Sequence, residues 1–283
     1  MPAFGRAWNR VFGNAASAVA VILLAIIVLL AVLGPVIWTK DPLTVDLAAK
    51  LEAPSLQHPM GTDNVGRDVF ARFNEGARIS LLTGLLAALI GGVLGGLIGL
   101  VSGSLGGFTD SGLMRCMDAL VAFPPLVLAM AVTVGLGVGL KAAAIGIILT
   151  SIPYYSRIVR ADVLRVRSLN FVEAGVALGA TRRRLILRHI LPNVLGTTPV
   201  LVAANFGYAI LTLAALGFVG LGAQIPTPEW GTMITEGQQF FLTGSWWIAL
   251  FPGLGVLIVV AATSMLADRA RDVFDPRGEF ARG

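Results

Sequence analysis

Six runs free of Asp, Glu, Lys and Arg constrain this chain more than anything else in it. They are residues 11–39, 79–109, 119–140, 142–156, 194–228 and 237–267. A helix that crosses a bilayer needs about 20 apolar residues, and five of the six runs reach that length. The 142–156 run is shorter, but Lys141 and Arg157 at its ends can reach the headgroups while their stems stay in apolar surroundings. Amides and carbonyls in lipid find no water, so each run must close its hydrogen bonds within a helix. The expected fold is all-α, a polytopic membrane protein with six transmembrane helices. Composition agrees: 13% of the 283 residues are charged, against about 25% in a soluble domain.

The net charge of +5 reports orientation, and no nucleic-acid partner is expected from it. With the N-terminus inside, 15 of the 21 Lys and Arg fall on the inner side, as the positive-inside bias requires. The first run is longer than the roughly 7–15-residue core of a cleaved signal, and no small-residue cleavage site follows it, so it reads as a retained anchor. Cys116 is the single cysteine, which excludes a disulfide framework or a cysteine metal cluster.

The most polar outer stretch, residues 39–76, contains Gly61, Thr62, Asp63, Gly66, Arg67 and Asp68. The two glycines bracket a tight turn with Asx-type side-chain bonds. A calcium loop from Asp63, Asn64 and Asp68 fails the EF-hand spacing. Gly95-Gly-Leu-Ile-Gly99 is a small-xxx-small pattern for close helix packing. Arg115 and Asp118 stand three apart and are expected to pair at the membrane edge. Pro124-Pro125 should kink or break the third span, which lipid tolerates only beside protein or a cavity. Phe123, Pro124, Pro125 and Asn205 are the candidate residues of a translocation path. Residues 222–244 read as an outer loop, with Trp246 and Trp247 in an aromatic belt.

An energy source is missing. The three lysines are Lys40, Lys50 and Lys141; none follows glycine, so there is no phosphate loop. Neither His58 nor His189 fits a zinc-protease pattern, and no nucleophile–base pair for a membrane-embedded enzyme is evident. The runs also lack the buried ionisable groups of a proton-coupled carrier, which argues against a stand-alone secondary carrier. The chain is expected to be non-catalytic, with no cofactor of its own, and to take its energy from another subunit.

The handle for that subunit is residues 168–193, the one long arginine-rich insert between apolar runs. Asn170 and Glu173 are spaced as a capping box, opening a helix from Phe171 to Leu178. Gly179 suits the left-handed residue that ends it. Thr181 caps a second helix, Arg182 to Ile190, before Pro192. Val172, Val176, Leu185 and Ile186 give the pair an apolar side.

Glu173-Ala-Gly-x-x-x-Gly179, followed after nine residues by His189-Ile-Leu-Pro, resembles the "EAA" signature of permease subunits of bacterial ABC importers. It departs at Gly175, where the family usually has alanine, and at His189, where isoleucine is common. Residues 58–80, 215–232, Trp246 to Gly253 and Arg271 to Arg277 are similar to the second permease of dipeptide and oligopeptide importers. The resemblance implies a type I ABC importer permease fold, with an anchor helix and extracytoplasmic segment in 1–76 and a core permease domain in 77–283. It implies a paralogous permease partner, two cytosolic ATPase subunits that bind ATP and Mg, an extracytoplasmic binding protein, and a bacterial inner membrane with both termini cytoplasmic. It assigns ATPase coupling to Asn170, Glu173, Ala174, Gly175, Gly179, Ala180 and Arg183. Related permeases carry nickel, glutathione or haem-like ligands, so the implied peptide substrate keeps those alternatives beside it.

Overall fold

The computed structural model describes residues 15–196 and 198–274. Arg6, Arg10 and residues 275–283 lie outside them, and with them part of the Arg271–Arg277 motif. The described chain is helical apart from residues 38–68, which hold one 3-10 turn (Leu47–Ala49) and an isolated bridge between Thr62 and Asp68, and shorter connecting turns. Its helices are α1 (Ala15–Ile37), α2 (Val69–Leu105), α3 (Gly107–Val121), α4 (Pro125–Leu136), α5 (Leu140–Arg167), α6 (Asn170–Ala177), α7 (Arg182–Leu185), α8 (Leu191–Leu195), α9 (Thr198–Phe218), α10 (Trp230–Phe241) and α11 (Trp247–Phe274). A π-helical turn, Ile186–Ile190, joins α7 to α8.

Five helices (α1, α2, α5, α9 and α11) are each long and apolar enough to cross a bilayer. α3 and α4, bent by 90° at residues 122–124, meet the same test together and make a sixth when counted as one broken span. Pro124 is extended (φ −54°, ψ 130°) and Pro125 opens α4. Proline has no N–H to give the preceding turn but suits the first turn of a new helix. The double proline therefore breaks the span outright.

α2 organises the bundle. At 37 residues and 1.5 Å each it is about 55 Å long, well beyond the roughly 30 Å hydrocarbon core. It starts within the polar stretch, where Asp68 accepts from the Ala71 amide at 2.8 Å, and runs uninterrupted through position 76. Along α5 its glycines allow backbone contact: a Cβ at Gly95 would stand 2.6 Å from the Ile152 carbonyl, and one at Gly99 2.5 Å from that of Ser156. Tyr155 of α5, fully buried, donates to the Ala88 carbonyl at 3.0 Å. α5 also outruns its charge-free stretch, carrying Arg157, Arg160 and Arg165 on its far half.

α1 touches the bundle through Ser17, Ala20, Ile27, Ala31 and Gly34. That is one narrow face at helical spacing, with Val19, Ile22, Leu29 and Val32 turned outward, as expected of a lipid-facing helix.

Three expectations are corrected. Residues 222–244 are not all loop, because α10 lies there. Glu229 caps it by accepting from the Gly231 and Thr232 amides at 2.9 and 3.0 Å, and Trp230 is buried in a stack on Phe73 of α2 (5.4 Å between ring centres). Trp247 is buried within the protein and does not face outward. Its indole N–H donates to the Thr62 carbonyl at 3.0 Å, while Trp246 stays exposed. Asp118 pairs with Arg157 at 2.8 Å rather than with Arg115, because the break at residues 122–124 and the return through α4 bring α5 alongside α3.

Candidate functional site

The 168–193 insert forms a small helical platform at the far end of α2 and α5. The expected capping box is absent. Leu169, not Asn170, is the extended N-cap residue (φ −85°, ψ 141°) and makes no side-chain cap bond; Asn170 is already helical. The cause is a tight exit from α5. Ser168 ends that helix, leaving one extended residue before the Val172 amide bonds back to the Leu169 carbonyl at 2.9 Å.

The exit from α6 follows the sequence. Gly179 has φ +75°, its N–H bonds the Val176 carbonyl at 2.9 Å, and the Ala180 N–H bonds that of Gly175 at 3.0 Å. This double bond pattern defines a Schellman ending, and it needs the left-handed residue. Thr181 then caps α7, accepting from the Arg184 amide at 3.4 Å.

Two kinds of contact hold the platform down. Val172, Leu185, Ile190 and Val194 pack on Val159, Val163 and Val166 of α5. Val176, expected on the apolar side, is instead 59% exposed. Arginines supply the second contact. Arg182 donates to the Ser104 and Leu105 carbonyls of α2 at 2.8 and 2.5 Å, and Arg167 to that of Gly103 at 2.6 Å. A helix's last carbonyls lack intrahelical donors and carry the negative end of its dipole, so cations settle there. Nearby, Arg160 grips Asp110 with two bonds of 2.6 Å.

Of the residues assigned to coupling, Gly175 and Ala180 are half-buried. Asn170, Glu173, Ala174, Gly179 and Arg183 are exposed. Leu178 at the tip is 87% exposed, so the platform presents an apolar knob. Arg182→Ala is expected to free the platform from α2 by removing two hydrogen bonds from a guanidinium, at a cost of about 2–4 kcal/mol, with chain abundance in the membrane unchanged. Faster amide hydrogen exchange over residues 182–190, measured beside membrane-protein level, checks it.

At the opposite end, Gly61, Thr62, Asp63, Gly66, Arg67 and Asp68 converge on the start of α2. Gly61 and Gly66 have positive φ (73° and 82°). A side chain at Gly61 would stand 2.6 Å from the Glu52 carbonyl. Arg67 joins Asp63 (2.5 Å) to Glu236 of α10 (2.9 Å), and Arg72 also reaches Glu236 (2.5 Å). Asp68 accepts from Trp38 at 3.2 Å and lies 2.8 Å from the His58 ring nitrogen. These acids are satisfied by arginines, amides and an indole, and among the described residues no group of three or more metal-ligating side chains forms. Glu236 escaped the sequence reading because its partners lie over 160 positions away. Burial pushes the Glu229 carboxyl above the usual carboxylate range, opposed by donors from Gly231, Thr232 and Ser80.

Of the four path candidates, Pro125 and Asn205 line a common cavity of about 650 Å³ between α4, α5 and α9. Phe123 and Pro124 are not in its wall, and Phe123 is more than half exposed.

A broken six-span helical bundle with an exposed helical platform on one end defines a membrane permease architecture, and sequence relatives say which one. Residues 95–279 match the model of the binding-protein-dependent transport system inner membrane component, and residues 3–54 that of the N-terminal TM domain of oligopeptide transport permease C. The chain belongs to the binding-protein-dependent permease family. It is 40% identical over 265 residues to the probable D,D-dipeptide transport system permease protein DdpC of Escherichia coli (94% of this chain, 89% of that one). It is 37% identical to the dipeptide transport system permease protein DppC of Alkalihalophilus pseudofirmus (96% and 89%), and 42% identical to the glutathione transport system permease protein GsiD of Shigella flexneri (79% and 74%). The fold resembles a chain of the inward-facing MetNI methionine ABC transporter, with TM-score 0.52 at 21% identity, covering 69% of this chain and 95% of that one.

Proposed function

We propose that this chain is one permease half of an ATP-driven importer of dipeptides and oligopeptides in a bacterial inner membrane. A paralogous permease forms the other half. Two cytosolic ATPase subunits bind ATP and Mg, a binding protein delivers peptide from outside, and both termini of the chain face the cytosol. The observation that carries this reading is the platform. Asn170, Glu173, Ala174, Gly179 and Arg183 are exposed, as is Leu178, on a stub fixed to both α2 and α5. That is the form of a lever for a partner to push. Closure of the ATPases on ATP draws two such platforms together and opens the path outward; hydrolysis lets it return. Residues 39–68 serve as the extracytoplasmic segment, and the Asp63–Arg67–Glu236 network holds it in place.

The test is reconstitution. The tagged chain, solubilised from its native membrane in mild detergent, should bring down a second permease and a Walker-motif ATPase. Placed in liposomes with the binding protein, that complex should accumulate a labelled dipeptide only with ATP. Uptake by the chain alone, or a preparation with no ATPase, would refute the reading. The 42%-identical glutathione permease makes glutathione the specific second substrate to compete against the dipeptide.

A further inference from the structure

Among the described residues that line the large cavity, Asn205 carries a buried polar atom without a partner. It sits on α9, is 6% exposed, and its side-chain carbonyl oxygen has no hydrogen-bond partner. An amide group buried without a partner is costly and needs an explanation. The cavity that Asn205 lines, about 650 Å³ with Pro125, Pro153, Tyr154, Arg157 and Tyr208 around it, is within the size range of small-ligand sites. Its hydroxyls from Thr150 and Ser151 are turned back onto their own helix, donating to the Ile147 and Ile148 carbonyls at 2.9 and 2.8 Å. They are therefore not the missing donors.

The walls point to a ligand rather than a packed neighbour. Pro125 opens α4 directly after the 90° break, whereas α5 runs through Pro153 unbroken. Interrupted helices at membrane depth are tolerated where they line a cavity, and transporters place substrate against such broken segments.

We propose that Asn205 is a substrate-contact residue: its side-chain carbonyl accepts a hydrogen bond from a main-chain N–H of the peptide in transit. The assignment rests on the reading of this chain as a peptide importer's permease. One acceptor aimed at the main chain suits a carrier of many peptides, because the N–H is common to them whatever their side chains.

The test pairs residue with ligand. In the reconstituted full importer, uptake of Ala-Ala is compared with that of its analogue methylated on the peptide nitrogen, at saturating binding protein, for the natural chain and for N205L. Any preference of the binding protein cancels in the ratio of ratios. Loss of one hydrogen bond predicts that the Ala-Ala preference shrinks about tenfold in N205L, with peptide-stimulated ATP hydrolysis retained. N205A gives the same comparison with a smaller side chain should N205L not assemble. An unchanged preference in the variants overturns the proposal. So does loss of the second permease from N205L and N205A complexes, since Asn205 would then be partnered by that subunit. Absence of ATP-dependent uptake by the natural complex refutes the importer reading instead.

Discussion

Replacing Glu236 by alanine is expected to cost this protein about 3–5 kcal/mol of stability, the range for breaking a buried ion network by removing one partner. Glu236 takes Arg67 at 2.9 Å and is the nearest acid to Arg72 at 2.5 Å, and the two arginine side chains are only 6% and 2% exposed. Without it Arg67 keeps Asp63 at 2.5 Å. Arg72 is left with the same Asp63 at 3.6 Å and the Pro226 carbonyl at 3.3 Å, too little for a buried guanidinium. The lost charge also unpins α10 from α2 at the end where residues 39–68 are anchored. Unfolding of the micelle-embedded chain by SDS, followed through its tryptophan fluorescence, measures the change. The sign of a second variant separates charge burial from side-chain loss: Glu236→Met with Arg72→Met should be less damaging than Glu236→Met alone, because the double change leaves one fewer unpaired charge. A loss below about 1 kcal/mol, the ceiling for exposed pairs, would mean that the network is solvated and contributes little.

The spans were legible in the sequence because lipid imposes one rule on every residue of a crossing helix, and absence of charge is a local property. The break at Pro124-Pro125 was legible for the same reason: proline acts on its own backbone. Helix ends were less so. α2 begins at Val69, among Arg72, Asn74 and Glu75, and those residues read as outer loop until Glu236 and Trp230 arrive from the other end of the chain. α10 is hidden behind Pro226 and Pro228, which mark a loop, although Glu229 followed by Trp230, Met233 and Ile234 at helical spacing is a usable sign. Within the platform, Gly179 and Thr181 were placed correctly, since a left-handed glycine and a threonine cap act within three or four residues. Asn170 was misplaced as a cap because α5 runs on to Arg167 and leaves no room for one. The Arg182 and Arg167 clamps on α2 join residues more than 60 apart and had no local signature.

Gly179→Pro is expected to lower ATP-dependent uptake at least about 100-fold while leaving the chain inserted and the Glu236 network intact. The native φ of +75° is closed to proline, whose ring holds φ near −65°. Proline also removes the N–H that bonds the Val176 carbonyl and pushes Leu178 away from its compact conformation (φ −80°, ψ 7°) toward an extended one. A penalty of about 3 kcal/mol at 1.4 kcal/mol per decade corresponds to a platform correctly shaped in roughly one molecule in a hundred. Space is not the obstacle, because no atom lies within 4 Å of a Cβ built at Gly179. Gly179→Ala, which meets only the left-handed penalty of about 1–2 kcal/mol, should therefore lose about tenfold. Gly175→Ala probes the other side of α6, where the added Cβ comes 3.0 Å from a terminal methyl of Leu185. That side chain can rotate, so uptake should stay within about twofold. Uptake and ATP hydrolysis measured together in the reconstituted complex decide the matter. A graded loss of uptake in the order Pro, Ala at Gly179, with hydrolysis no longer responding to peptide, marks the platform as the coupling lever. Equal activity across the series would mean that its shape is immaterial and that force enters the permease elsewhere.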